Sequence, residues 1–191
     1  MPRRRRTARP LGEHALLARL LPTLPAAGRG VLLGPGDDCA VVAPRGRALL
    51  FTIDALVEGV HFRRDWLTLA ELGRKAFAVT ASDIAAMGGI PRWCVLQIAT
   101  PPRTAAADAT TISRAIAAAA ARAGAALVGG NLSRARELSV ALALIGDAPP
   151  RPLTRAGARP GDALYVTGRL GDAALGLRLL RRRRDASGPA V

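Results

Sequence analysis

Lysine is nearly missing from this chain, aromatic side chains are scarce, and no long uncharged apolar run is present. Each shortage excludes something. Without a stretch of about 18 apolar residues free of charge, there is no candidate transmembrane helix. The run from Leu11 to Leu21 is broken by Gly12, Glu13, His14 and Arg19, so it reads as an amphipathic helix ending at Pro22. It lacks the apolar middle of a signal peptide, and a twin-arginine export signal fails for the same reason. Cysteine is limited to Cys39 and Cys94, far apart in strand-like apolar runs. Two small core residues of a reduced, cytoplasmic protein are expected there. Aromatics at 3% leave few platforms on which nucleic-acid bases could stack.

What the chain has instead is arginine, and a formal net charge of +14 with Lys75 as the single lysine. Arginine and alanine are enriched along the whole length, which suggests a compositional bias rather than a binding patch. The two dense clusters, Arg3 to Arg6 and Arg181 to Arg184, sit near the ends, where solvated tails are usual. No specific nucleic-acid partner is expected on these criteria. The 191 residues, half of them apolar, suffice for one full domain and the start of another.

A Gly/Pro-rich loop spans residues 23–36 and is followed by two strand-like runs, Cys39 to Ala43 and Ala48 to Ile53, joined by a turn at Pro44-Arg45-Gly46. Leu69 to Met87 predicts a long helix stopped by Gly88-Gly89 and Pro91. Then come a strand from Trp93 to Thr100, an alanine-rich helix from Thr104 to Ala123, and strands at Ala126 to Gly129 and Leu138 to Ile145. This order predicts an α+β fold, a mixed sheet layered with two long helices. Pro149-Pro150-Arg151-Pro152 marks a boundary, after which a turn at Arg159-Pro160-Gly161-Asp162, a strand at Ala163 to Thr167 and a helix from Leu170 to about Leu180 open a second, truncated α/β domain. The expected division is therefore a basic disordered tail at 1–10, an N-terminal domain at 11–148, an incomplete domain at 149–180 and a polar tail at 181–191.

Four short segments carry the chemistry. Gly36-Asp37-Asp38 places two carboxylates side by side, which a cation would stabilise and a solvated turn would also accommodate. Asp54 closes an apolar strand, either as a site residue or as a cap for the next segment. Asp83 lies inside a helix among small apolar neighbours, where propensity disfavours it, so it needs a cation, a donor or water. Gly129-Gly130-Asn131 follows a short strand and either presents N–H groups to a phosphate or makes a plain tight turn. No P-loop or dinucleotide-binding glycine fingerprint opens a helix.

Taken together, these segments resemble the thiamine-monophosphate kinase family. The likeness is carried by Gly36-Asp37-Asp38-Cys39-Ala40-Val41, by Thr52-Ile53-Asp54-Ala55-Leu56-Val57-Glu58-Gly59-Val60-His61-Phe62 and by Ser82-Asp83-Ile84-Ala85-Ala86-Met87-Gly88. It continues through Gly129-Gly130-Asn131, Leu153-Thr154-Arg155-Ala156-Gly157 and Tyr165-Val166-Thr167-Gly168. The glycine-aspartate elements are shared with synthetases making selenophosphate and aminoimidazole ribonucleotide. The resemblance implies ATP-dependent phosphorylation of thiamine monophosphate to the diphosphate, in a homodimer joined through the N-terminal sheet. It also implies several magnesium ions held by Asp38, Thr52, Asp54, Asp83 and Asn131, nucleotide contacts from Gly130, Asn131 and Arg155, and His61 facing the substrate. Magnesium prefers such hard oxygen donors. Two positions depart from the family pattern: Asn131 stands where an acid is usual, and Ile53 where a hydroxyl is frequent. A third departure is the second domain, which family members continue beyond the equivalent of residue 180. The alternatives are another synthetase of the same superfamily, or a non-catalytic ATP-binding or dimerisation module.

Overall fold

The computed structural model describes residues 31–33, 37–44, 48–102 and 104–187, with Ala18 and Pro22 besides; for 183–187 only the backbone is described. The expected helix from Leu11 to Leu21, most of the 23–36 loop, the 1–10 tail and turn residues Arg45 and Gly46 lie outside the described residues.

Six strands form one mixed sheet. They are β1 (Val31–Leu33), β2 (Ala40–Val42), β3 (Leu49–Val57), β4 (Ile90–Thr100), β5 (Ala126–Arg134) and β6 (Ser139–Asp147), in the spatial order β1-β2-β3-β6-β4-β5. Every neighbouring pair is antiparallel except β4 and β5, which run parallel around the crossover helix between them. Two long helices, α1 (Leu69–Ala86) and α2 (Ala106–Arg122), layer one face, as the sequence predicts. A third helix, α3 (Asp172–Ser187), closes the described chain.

Alternation along β3 explains the layering. Leu50, Thr52 and Leu56 are buried on the helix side, while Phe51 and Ile53 remain 45% and 65% exposed on the other. The core lies between sheet and helices, where Leu72 and Ile84 of α1, Ile112 and Ile116 of α2, and Leu142 and Leu144 of β6 are fully enclosed. Each such side chain contributes roughly 1.5–3 kcal/mol relative to exposure. A capping box starts α1: Thr68 accepts the Glu71 N–H at 3.2 Å, and Glu71 accepts the Thr68 N–H at 2.7 Å. Cys39 and Cys94 are both buried free thiols, as expected of small core residues.

The structure corrects several boundaries. Asp54 is inside β3 rather than at its end, because β3 pairs residue for residue with β6 from Leu49↔Asp147 to Val57↔Ser139. Gly129-Gly130-Asn131 lies within β5, not after it. A Cβ on Gly130 would stand 2.1 Å from the Leu96 carbonyl oxygen, so glycine serves close approach of β5 to β4 beside a register slip. Val31–Leu33 forms a strand inside the expected loop. Ala163 to Thr167 is not a strand: it has no partner ladder, and Leu164 and Tyr165 stand almost wholly exposed. Helix α3 runs on through the arginine cluster to Ser187, since arginine is itself a good helix former.

Candidate functional site

A loop, a strand, a helix and a short turn bring Asp38, Thr52, Asp54, Asp83 and Arg155 into one neighbourhood. Thr52 and Asp54, two residues apart on β3, share its helix-facing side. Thr80 and Asp83, three apart on α1, share the surface facing that strand. The Thr52 hydroxyl donates to Asp83 Oδ2 at 2.8 Å and ties the strand to the helix, while the Thr80 hydroxyl donates within its own helix to the Ala76 carbonyl at 3.0 Å. The partner that a mid-helix aspartate needs is thus a strand hydroxyl.

These carboxylates shape the local field. Burial, and then the charge of Asp83, push the Asp54 carboxyl above its ordinary range, while Thr80 and His61 work the other way. Cys39 lies in the same field. Its thiol is pushed up to about 12, first by burial and then by Asp83, Asp38 and Asp37, against a hydrogen bond with Thr52.

Arg155 sits in a single 3-10 turn, Arg155–Gly157, and reaches back to the loop before β2. Its Nε donates to Asp38 Oδ1 at 3.2 Å, and its Nη2 donates to the same oxygen. Its backbone N–H donates to Asp37 Oδ2 at 3.1 Å. Planar arginine donors match carboxylate and phosphate oxygens alike.

His61 belongs to the loop after β3, which turns at Gly59 with φ +78°, a left-handed conformation that suits glycine. Phe62 anchors this loop in the core. The His61 Nδ1 accepts the Val57 N–H at 3.1 Å, which leaves Nε2 to carry the proton of the neutral ring. Lys75 Nζ donates to the His61 carbonyl oxygen at 2.6 Å. His61, Lys75, Arg63 and Trp66 line a cleft of about 700 Å³ that α3 borders from the other side.

Gly130 and Asn131 are not brought to the carboxylates within one chain. The row across the sheet runs Asp54–Leu142–Leu96–Gly130, so three strand spacings, roughly 14 Å, separate β3 from β5. Asn131 pairs with Gln97, and both border a shallow hollow with Ile53 and Ala143 on the open face. Ile53 therefore points away from Thr52 and Asp54, and a hydroxyl in its place would not join them. Sequence reasoning missed Thr80 and the role of Asp37; the three-residue spacing of Thr80 to Asp83 was the available signal for the first.

Among the described residues, no three His, Cys, Asp or Glu side chains already converge on a single point suited to a metal ion. The donor set nonetheless fits magnesium: hard oxygens only, from Asp38, Asp54, Asp83 and the Thr52 hydroxyl, at a place where burial and then the charge of Asp83 raise the Asp54 carboxyl.

Residues 36–148 match the family described as AIR synthase related protein, N-terminal domain. The chain is 41% identical over 176 residues to a thiamine-monophosphate kinase of Mycobacterium tuberculosis (strain CDC 1551 / Oshkosh), covering 91% of this chain and 52% of that protein. It is 40% identical over 174 residues to a thiamine-monophosphate kinase of Escherichia coli (strain K12), covering 90% and 53%. Among solved structures, AaThiL complexed with AMPPCP and TMP superposes with a TM-score of 0.82 at 33% identity, over 95% of this chain and 57% of that one. Thiamine monophosphate kinase from Aquifex aeolicus gives 0.72 at 32% identity, over 91% and 54%. The chain spans about half the length of the curated relatives it matches.

Proposed function

Since the chain belongs to the AIR synthase related protein family through its N-terminal domain, we propose that it is part of a thiamine-monophosphate kinase. The observation that carries this reading is the Thr52–Asp83 hydrogen bond next to Asp54, set beside Asp38 and Arg155 on a fold so similar to that of AaThiL. A phosphate oxygen of thiamine monophosphate attacks the terminal phosphorus of ATP, the bond to the bridging oxygen breaks, and thiamine diphosphate and ADP leave. Such transfer needs positioning and charge neutralisation more than a covalent catalyst.

Asp38, Thr52, Asp54 and Asp83 would hold magnesium, which would supply charge neutralisation to the phosphates. Arg155 supplies a guanidinium for nucleotide phosphate. The cleft of His61, Lys75 and Arg63 takes the thiamine phosphate, with His61 Nε2–H as donor. Gly130 and Asn131 are the remaining expected nucleotide contacts, with the Asn131 amide oxygen as a further magnesium ligand.

The same reading makes the protein a cytoplasmic homodimer joined through the open face of the sheet. Among the described residues no helix is long and apolar enough to cross a membrane. Phe51, Ile53, Trp93 and Val95 form an exposed apolar face of the kind that a second copy covers. In such a pair Gly130 and Asn131 lie at the interface rather than beside their own chain's carboxylates.

The test combines the chain, magnesium, ATP and thiamine monophosphate, alone and with a polypeptide supplying the remaining length of a thiamine-monophosphate kinase. Diphosphate is expected in the complemented mixture and lost in Asp83→Ala. Folded protein that neither binds magnesium-ATP by calorimetry nor turns over when complemented would overturn the assignment and favour a non-catalytic module.

A further inference from the structure

The two neighbouring carboxylates of the Gly-Asp-Asp segment do different work. Asp38 receives the guanidinium of Arg155. Asp37 instead accepts backbone N–H groups: that of Asp38 on Oδ1 at 3.0 Å, and that of Arg155 on Oδ2 at 3.1 Å, with Oδ1 also 3.4 Å from the latter. One carboxylate thus spans two backbone donors that are 117 residues apart.

Little else holds the distant segment. Arg155, Ala156 and Gly157 are all exposed, so burial does not fix the turn. Upstream of it, the Leu153 N–H donates to the Met87 carbonyl at 3.2 Å. An arginine side chain is long and rotamer-rich, and where its guanidinium arrives depends on where its backbone is held.

We propose that Asp37 is a positioning residue, a backbone clamp that fixes the Arg155 turn against the loop of Asp38 and so sets both side chains for the nucleotide. The inference rests on the kinase reading for its consequence, though not for its geometry. Asp37 acts here through its two acceptor oxygens, each taking a backbone N–H, and not as a metal ligand.

Asp37→Ala removes both acceptors, whereas Asp37→Asn keeps one oxygen but turns an amide NH2 towards the other N–H, so the two variants grade the clamp. Two measurements decide. The first is trypsin cleavage of the Arg155–Ala156 bond without magnesium, followed by mass spectrometry on the folded chain. The second is magnesium-ATP affinity by calorimetry. Asp37→Ala should be cut about tenfold faster and bind about tenfold more weakly, the scale of a lost charge-assisted hydrogen bond. Asp37→Asn should lie between it and the unaltered protein in both.

Unchanged cleavage in Asp37→Ala refutes the clamp. Cleavage of Asp37→Ala that differs from the unaltered chain only in the presence of magnesium also refutes it, in favour of a metal ligand. Faster cleavage with unaltered affinity refutes positioning of the nucleotide. If even the unaltered chain binds no magnesium-ATP, the kinase reading fails, and the cleavage measurement still judges the clamp.

Discussion

Replacing Thr52 by valine tests the bond that ties strand β3 to helix α1 at Asp83. Thr52 is 9% exposed and its hydroxyl lies 2.8 Å from Asp83 Oδ2. A hydrogen bond to a charged acceptor contributes about 1.5–3 kcal/mol, and its loss leaves Asp83 short of a donor. Valine keeps the β-branched shape, opens no cavity, and returns roughly 0.8 kcal/mol through one more buried methyl. The expected net loss is therefore about 1–2 kcal/mol, a fall of roughly 2–8 °C in Tm for a chain of this size. Urea denaturation at neutral pH would measure it. Thr52→Ser, which keeps the hydroxyl, serves as the control, and a double-mutant cycle with Asp83→Ala isolates the pair. A coupling of about 1 kcal/mol or more is expected between directly bonded groups. Valine that is as stable as threonine, with no coupling to Asp83, would refute the idea that the strand hydroxyl holds the helix acid.

Asp54→Asn should raise the urea midpoint at pH 7. Its carboxyl is raised from an ordinary 3.8, so the group stabilises the fold fully only below that value and loses this contribution as pH rises through the raised one. The advantage of asparagine should shrink on acidification, and a lower midpoint at pH 7 would contradict the reasoning. Cys39 and Cys94, pushed up to about 12 and about 11, should resist maleimide at neutral pH until urea unfolds the protein; rapid labelling of the native state would disprove their burial. Gly130→Ala places a methyl 2.1 Å from the Leu96 carbonyl oxygen, so a loss of about 1–3 kcal/mol is expected. Hydrogen exchange should quicken in β5 and not in β3, and uniform exchange would argue against a local clash.

The fold class and both long helices were legible because helical periodicity and stop signals coincide at Leu69 to Gly88 and Thr104 to Gly124. Asp83 was legible as well, since an acid amid small apolar helix residues asks for a partner. What remained hidden depends on neighbours distant in sequence. The full ladder with β6 carries β3 past Asp54, and a close approach to β4 keeps two glycines inside β5 that turn chemistry would assign to a loop. Apolar alternation at Ala163 to Thr167 reads as a strand, yet no edge is beside it to pair with. Asp37 and Asp38 are indistinguishable as letters. Only Arg155, far along the chain, separates a backbone acceptor from a guanidinium partner.

Strand β3 carries two messages in alternate letters. Thr52 and Asp54 belong to one, Phe51 and Ile53 to the other, and both are locked to the same nine-residue ladder. A single inserted or deleted residue between them would transpose the messages, turning the acid outward and the isoleucine inward. Length variation is therefore closed to this strand, whereas substitution at odd positions remains open, because those side chains leave Thr52 and Asp54 where they are. Divergence among relatives should accordingly preserve the spacing from residue 50 to residue 56 more strictly than the outward-facing side chains.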